Sequence, residues 1–424
     1  MRPSTMAVPN LLAKCSPEKA AGERTNSIHT SSRVGTGRLR GRLTYAARML
    51  PRFAWHRLTR PRVPSPVHLI IALADHFEPA IAHGAERVAY DEQERRMERW
   101  CREYPKLVDG FRDSDGGAFS HTYFYPAEQY DRALIERLAE HCHSGWGEIE
   151  IHLHHGTSRP DTAENTARVL TEFRDVLANV HQCLSYVDGS GSPRYAFVHG
   201  NFALANSNGG RGCGVDSEID VLAKTGCYAD MTMPAGPFHR AQTGKINSLY
   251  ECNLPLQRRA AHAHGRDLVR GRMPEVLPIM VQGPFLFDFS APSRAQVIDN
   301  GAMTTANPPT LRRLRAWKEA GISVRGRPDW LFLKLHCHGM DPTQEDVMLG
   351  SSMRSFLHDL VPGAPQRGEH LHFVTAREMV NIILAACAGR EGNPGEFRDY
   401  RYKLERTEFA GSRPGAGSER LAKG

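Results

Sequence analysis

Three histidines stand close together at the end of an alternating stretch of the sequence. His152, His154 and His155 follow residues 147–151, which read Gly-Glu-Ile-Glu-Ile. The alternation predicts a half-buried β-strand, whose two-residue period places His152 and His154 on one face and leaves His155 where the chain enters a loop. Neutral imidazole is the commonest protein ligand for zinc-like metals. The sequence therefore predicts a metal site at the end of this strand.

Other residues able to bind a metal or transfer protons lie at or near the ends of further strand-like runs. They are Asp75, His76 and Glu78 after the run at 68–74, His199 and Asn201 at the end of 195–199, Asp230 within 227–233, and His336 and His338 at the end of 330–336. In a parallel α/β barrel, active sites form at the C-terminal ends of the strands. We therefore expect these side chains to converge on one site.

The body of the chain alternates between strand-like and helical patterns. Strands are predicted at 68–74, 120–125, 148–153, 195–199, 227–233, 277–287, 330–336 and 371–374, and helices at 127–142, 162–180, 215–224, 310–320 and 375–386. This alternation favours a parallel α/β barrel of seven to eight strands over a doubly wound sheet. No glycine-rich dinucleotide fingerprint follows a predicted strand. Residues 216–218 are expected only to open a helix.

The two ends of the chain differ in composition from its body. Residues 1–42 are rich in Ser, Thr, Gly, Pro and Arg and predict a disordered basic tail. Residues 43–65 mix Arg with large apolar residues, which indicates either a short helix packed on the body or an amphipathic segment touching anionic lipid. The barrel is expected over 66–390, with an insertion near 251–276, and 391–424 are expected to form a C-terminal tail.

The net charge of +7 originates at one end of the chain. Residues 1–63 hold 13 of the 54 Lys and Arg but only two of the 47 acidic residues, so the remainder is slightly acidic and gives little support to nucleic-acid binding. No apolar run approaches the ~20 residues that a membrane span needs, and a secretory signal pattern is lacking. The nine cysteines are scattered and never spaced CxxC. These observations predict a cytoplasmic protein with reduced thiols, with peripheral contact at the inner membrane face through 43–60 left open.

The order of these motifs resembles the polysaccharide deacetylase superfamily, of the NodB-homology or carbohydrate esterase family-four type, over roughly 66–390. The first strand ends in Asp75, and the second carries Thr-Tyr-Phe at 122–124 like the aromatic strand of those enzymes. Residues 147–152 are similar to their Glu-Ile-x-x-His metal motif, and 333–336 to their Leu-x-His strand with the catalytic acid. The resemblance implies a distorted (β/α) barrel with one divalent metal, expected to be zinc, that removes N-acetyl groups from a sugar or exopolysaccharide.

The sequence departs from the family pattern at three places. The paired aspartates of the family become Asp75-His76, and the second metal histidine, four residues after His152, is replaced by Gly156. The Arg-containing third motif is not evident, and residues 199–201 take its place. Either Asp75 is the general base and His76 a ligand, or Asp75 is the ligand and the base is either lost or replaced, for example by Glu78.

The resulting hypothesis gives each candidate a role. The expected catalytic residues are Asp75, Glu78 and His336, the expected metal ligands are His76, His152, His154 and His155, and the expected substrate contacts are His199, Asn201, Asp230 and His338. Of His154 and His155, one is expected to bind the metal and the other to orient it. Two other functions stay open. One is a metallo-phosphoesterase or amidohydrolase with two metals about 3.5–4 Å apart, and the other is a barrel that has lost its base and binds glycan.

Overall fold

The computed structural model describes residues 49–82, 87–235, 241, 245–255 and 265–404. The predicted tail at 1–42 lies outside the described residues, as do 43–48 of the predicted amphipathic segment. Residues 256–264 of the predicted insertion and 405–424 of the predicted C-terminal tail also lie outside them.

A mostly parallel sheet organises the described chain. The strands are β1 (Val67–His76), β2 (Thr122–Pro126), β3 (Glu148–Leu153), β4 (Ser185–Val187), β5 (Ser190–His199), β6 (Cys227–Asp230), β7 (Leu249–Glu251), β8 (Arg266–Asp267), β9 (Ile279–Val281), β10 (Leu286–Phe287), β11 (Ile298–Asp299), β12 (Trp330–Cys337), β13 (Glu369–Val374) and β14 (Tyr402–Leu404). The order β12-β1-β2-β3-β5-β6-β9 is parallel throughout, and β13 pairs in parallel with β1. Antiparallel β7 and β8 extend the β9 edge, β8 being part of the predicted insertion, and β10 and β11 pair separately. The prediction of an α/β fold built on a mostly parallel sheet is confirmed.

Helices connect and cover these strands. They are α1 (described over 49–59), α2 (Tyr90–Val108), α3 (Arg132–His141), α4 (Ala163–Asn179), α5 (Glu218–Thr225), α6 (Leu311–Glu319), α7 (Glu345–Leu349), α8 (Ser351–Gly363) and α9 (Ala376–Cys387). The helices predicted from periodicity correspond to α3, α4, α5, α6 and α9. Side-chain caps fix several starts: the Thr162 hydroxyl accepts from the Asn165 amide at α4, and Thr375 and Glu378 form a capping box at α9.

Side chains of β1 alternate between two faces of the sheet. Ala72 and Ala74 pack with Val198 of β5 and Phe332 of β12, and we call this the site face. Leu73 and its neighbours at alternate positions face the opposite way, toward a larger core that includes side chains of α2, α3 and α4. We call this side the helix face. Because the period is two, adjacent residues at a strand end are delivered to different environments.

The C-terminal tail is predicted to begin at residue 391, but the chain remains part of the fold as far as β14. β14 pairs antiparallel with β4, and the ring of Tyr402 stacks on Tyr228 with centroids 4.5 Å apart. The Tyr402 carbonyl accepts hydrogen bonds from Arg377 Nη1 at 2.7 Å and from Asn381 Nδ2 at 2.8 Å, both on α9. Residues 391–404 therefore belong to the fold, because strand pairing and buried hydrogen bonds hold them against α9 and β4.

Helix α1 packs on the fold through one side. The Phe53 ring contacts Phe285 and Phe287, with centroid distances of 5.0 and 4.5 Å. The other side exposes Trp55 and Leu58, which are 70% and 81% accessible to solvent. Contact of this segment with anionic lipid stays a prediction. None of the helices within the described ranges combines the length and apolar character needed to cross a membrane.

The buried pair between Glu148 and Arg377 ties β3 to α9, and we expect its loss to be costly. Arg377 Nη2 lies 2.7 Å from Glu148 Oε1, and both side chains are buried. Arg377→Met leaves the Glu148 carboxylate without its cation, so the free energy of unfolding should fall by about 3–5 kcal/mol. Urea denaturation measures this change.

A matched control uses an exposed ion pair of α4. Arg168 and Glu172 lie 2.8 Å apart at the surface, so Arg168→Met should cost less than about 1 kcal/mol. Equal losses in the two variants would contradict the assignment of Arg377 as a structural anchor.

Candidate metal centre

Four side chains from the C-terminal ends of β1 and β3 come together on the site face. His76 ends β1, Glu78 follows it, and His152 is the last but one residue of β3. The ligand atoms of these three buried residues all lie within 4.8 Å of one another. His152 Nε2 is 3.6 Å from Glu78 Oε1, and His154 Nε2 is 4.0 Å from the same oxygen. We call His76, Glu78, His152 and His154 the first histidine group.

One hydrogen bond determines which nitrogen of His152 is free. His152 Nδ1 lies 2.9 Å from the carbonyl oxygen of Val198. Because a carbonyl only accepts, Nδ1 carries the proton and Nε2 carries the lone pair. This Nε2 is buried and has no hydrogen-bond partner among the described residues. A buried polar atom left in this state costs about 1–3 kcal/mol, and a metal ion facing Nε2 would remove that cost.

His154 is oriented by a carboxylate on its far side. Its Nδ1 lies 2.7 Å from Glu128 Oε1, and its amide donates to Glu128 Oε2 at 3.3 Å. Burial alone would lower the pKa of His154, but the hydrogen bond to Glu128 and the charge of Glu78 raise it to about 9. A carboxylate behind an imidazole is the arrangement that commonly orients metal-binding histidines. Of the two adjacent histidines, the structure brings His154 to the first group.

His336 and His338 border the first histidine group. The ring of His76 lies 4.7 Å from that of His338 and 6.4 Å from that of His336, between ring centroids. Burial, reinforced by Lys334 and His338, lowers the pKa of His336 well below its usual value. His336 is therefore neutral near pH 7, and its ring is a weaker base than a free imidazole.

Asp75 does not face this group, so it is neither the base nor a ligand at the predicted site. It lies with His121 and Cys337 in another buried set whose ligand atoms are within 4.8 Å of one another. Its Oδ2 lies 2.8 Å from His121 Nε2, and its Oδ1 accepts from the Gly339 amide at 2.7 Å. The His121 ring in turn packs edge-on against Trp100 of α2, on the helix face. The alternation of β1 is the physical reason, because it turns Asp75 away from the side that carries His76. Asp75 instead holds the chain that follows β12.

His155 and His199 also lie apart from the predicted site. They meet Cys213 and Glu218 in a second buried set whose ligand atoms lie within 4.8 Å of one another, which we call the second histidine group. His155 Nε2 is 2.8 Å from Glu218 Oε1, and His155 Nδ1 is 3.0 Å from Asp161 Oδ2. The expectation that His155 shares a metal with His152, and that His199 contacts substrate beside it, does not fit this geometry.

The two other predicted substrate contacts are engaged by the protein itself. Asn201 Nδ2 donates to the carbonyl oxygens of His155 and Gly212, at 3.3 and 3.4 Å. Asp230 accepts from the Thr232 hydroxyl at 2.7 Å, and burial raises the pKa of Asp230 to about 7. Both side chains therefore have structural partners within the sheet and its loops.

Three residues at these groups were missed by the sequence interpretation. Glu128 follows β2 by two residues, so the rule that located the other strand-end residues would have found it. Glu218 does open α5 as predicted, but its carboxylate also accepts from the Ala205 amide at 2.7 Å inside the second group. Cys213 carries no local signal, because its histidine partners, His155 and His199, lie on other strands well before it in the sequence.

Comparisons of the chain with protein-family models, curated proteins and solved structures find no match. The resemblance to polysaccharide deacetylases stays a prediction. The geometry establishes that buried groups of His, Glu, Asp and Cys in the described chain could hold a metal ion.

Removing the charge of Glu128 should weaken metal binding without removing a ligand of the first group. Glu128→Gln abolishes the charged hydrogen bond to His154, so zinc affinity should fall about 10–100-fold. Competition with a chromophoric chelator measures this affinity. The control is Glu140→Gln, on the exposed side of α3. Equal affinity in the wild type and in both variants would contradict the role of Glu128.

Proposed function

We propose that the protein is a metal-dependent hydrolase of the polysaccharide deacetylase type, which removes N-acyl groups such as acetyl from a sugar or exopolysaccharide. The supporting observation is the buried, unpartnered Nε2 of His152 beside His76 and Glu78 in the described chain. Two imidazoles and one carboxylate are a donor set of hydrolytic zinc sites, which keep one position open. We infer that His76, Glu78 and His152 bind one divalent ion, zinc in the first instance, with His154 beside them.

The residues around the ion divide the remaining work. When bound, the ion supplies Lewis acidity, which activates water and polarises an amide carbonyl. His336 borders the group and is proposed to deliver the proton to the leaving amine. Burial makes its ring a weak base, so that its protonated form is a strong acid. Without the ion, Glu128 and Glu78 raise the pKa of His154 to about 9. With the ion bound at Glu78, His154 would release its proton and offer Nε2 as a further ligand, held in place by Glu128. Glu78 then acts as a ligand in this proposal and not as the general base.

The fold supports the same proposal. The first histidine group lies at the C-terminal ends of β1 and β3, where parallel α/β barrels carry their active sites. Closure of the sheet into a distorted barrel is part of what we propose.

One observation favours an alternative, a glycan-binding protein without hydrolytic activity. Asp75 occupies the position of the family's aspartate pair but faces the helix side, so the expected base does not reach the first group. The metallo-phosphoesterase alternative requires a second ion beside the first.

Acetate release from chitooligosaccharides tests the proposed function. We expect the wild type to release acetate, a chelator to abolish release, and zinc to restore it. His152→Ala should lose both the ion and the activity, whereas His358→Ala, which changes an exposed histidine, should retain both. Metal binding with glycan binding but no acetate release would favour the alternative. Phosphatase activity with two ions at this site would favour the phosphoesterase.

A variant of His336 separates proton transfer from metal binding. His336→Ala should lower kcat about 100–10,000-fold, because a general acid–base group is lost. Metal content should stay at the wild-type level, since His336 is not among the proposed ligands. Unchanged kcat would exclude His336 from proton transfer, and loss of the ion would make it a ligand instead.

A further inference from the structure

The second histidine group has no role in the proposed reaction, yet it holds a complete set of donors. Its members are His155, His199, Cys213 and Glu218, and all four are buried. From Glu218 Oε1, His155 Nε2 lies at 2.8 Å and His199 Nε2 at 3.6 Å, and Cys213 Sγ lies 3.3 Å from Glu218 Oε2. We propose that this group is a closed, structural zinc site, separate from the ion of the first group.

Three elements and a tightly folded loop bring the four donors together. His155 follows β3, His199 ends β5 and Glu218 begins α5, while Cys213 lies in the loop between β5 and α5. This loop crosses the chain at Gly156, where an added Cβ would lie 1.9 Å from the Cys213 carbonyl oxygen. Glycine at position 156 is therefore what allows the loop to carry Cys213 to the histidines.

Hydrogen bonds from outside the group hold three of the four donors in place. Asp161 Oδ2 lies 3.0 Å from His155 Nδ1, which directs Nε2 into the group. The Ala205 amide donates to Glu218 Oε2 at 2.7 Å, and the Val215 amide donates to Cys213 Sγ at 3.4 Å. Partners of this kind fix the direction and basicity of metal ligands.

The fourth donor supplies an independent observation that points to a ligand. His199 is fully buried, and its Nε2 has no hydrogen-bond partner within the described chain. The 3.6 Å separation from Glu218 Oε1 is too long for a hydrogen bond. His199 Nδ1 accepts from the Asn201 amide at 3.1 Å. Because Nδ1 accepts this hydrogen bond, Nε2 carries the ring proton while no ion is bound. Binding through Nε2 would move that proton to Nδ1, and the backbone amide of Asn201 would then turn away.

The donor chemistry selects zinc and a structural role. A thiolate and a carboxylate together balance the charge of a divalent ion, and the soft sulfur disfavours Mg²⁺ and Ca²⁺. Four protein donors leave no open position, which is typical of structural and not catalytic zinc sites. The first histidine group has nitrogen and oxygen donors only, so sulfur distinguishes the two sites spectroscopically.

Cobalt substitution of the full-length protein tests the proposal. We expect two equivalents of Co²⁺ in the wild type and a thiolate-to-cobalt charge-transfer band in the near ultraviolet. Cys213→Ser should remove this band and one equivalent. Cys227→Ser changes another buried cysteine, whose thiol donates to the Ala229 carbonyl, and should retain both. His152→Ala should lose one equivalent and keep the band.

The outcomes separate this proposal from the proposed function. Loss of metal from Cys213→Ser but not from His152→Ala would overturn the first site and leave the second intact. A wild type with one equivalent, lost with His152→Ala and without a thiolate band, would overturn the second. Should Cys213→Ser fail to fold, zinc X-ray absorption of the wild type decides. A sulfur neighbour at about 2.3 Å is expected, and its absence would overturn the proposal.

Discussion

The alternation of side chains across a parallel sheet is the constraint on which both histidine groups depend. In the register between β3 and β5, His152 pairs with Val198 and Leu153 pairs with His199. His152 therefore turns toward the site face, whereas His199 turns toward the helix face and meets Glu218 of α5. The same constraint separates His76 from Asp75 at the end of β1. The two histidine groups therefore form on opposite faces of the sheet, although their residues are adjacent in sequence or in strand register, and they share no side chain.

The protonation of the histidine rings in the first group depends on the hydrogen-bond acceptors and charges beside them. The Val198 carbonyl forces the proton of His152 onto Nδ1 and leaves a basic nitrogen exposed to the first group. Glu128 and Glu78 act differently on His154, because their charges outweigh burial and keep that ring protonated near pH 7. His336 has no carboxylate of this kind, and burial keeps it neutral. Neutral and charged imidazoles thereby coexist within one small volume.

Local patterns could predict the elements and strand ends, but not the partners across the sheet. The alternating residues before His152 predicted β3 and the convergence of polar side chains at its end, and the helix that follows begins at the cap residue Thr162. Periodicity could not decide between His154 and His155, because the chain leaves the strand there and loop geometry sets the direction. Cys213 and Glu218 lie about 60 residues beyond His155 in the sequence. Their convergence depends on the loop that crosses Gly156, which no local period encodes.

Gly200 lies at the junction between the two histidine groups. Its amide donates to the Leu153 carbonyl at 2.8 Å, which joins the ends of β3 and β5. An added Cβ at Gly200 would lie 2.3 Å from the His154 ring, so glycine lets that ring lie directly against the backbone that follows His199. An ion held by His155, His199, Cys213 and Glu218 would fix this junction from the helix face. It would thereby limit the movement of His152 and His154 on the site face, because those residues flank Leu153 on the same chain segment.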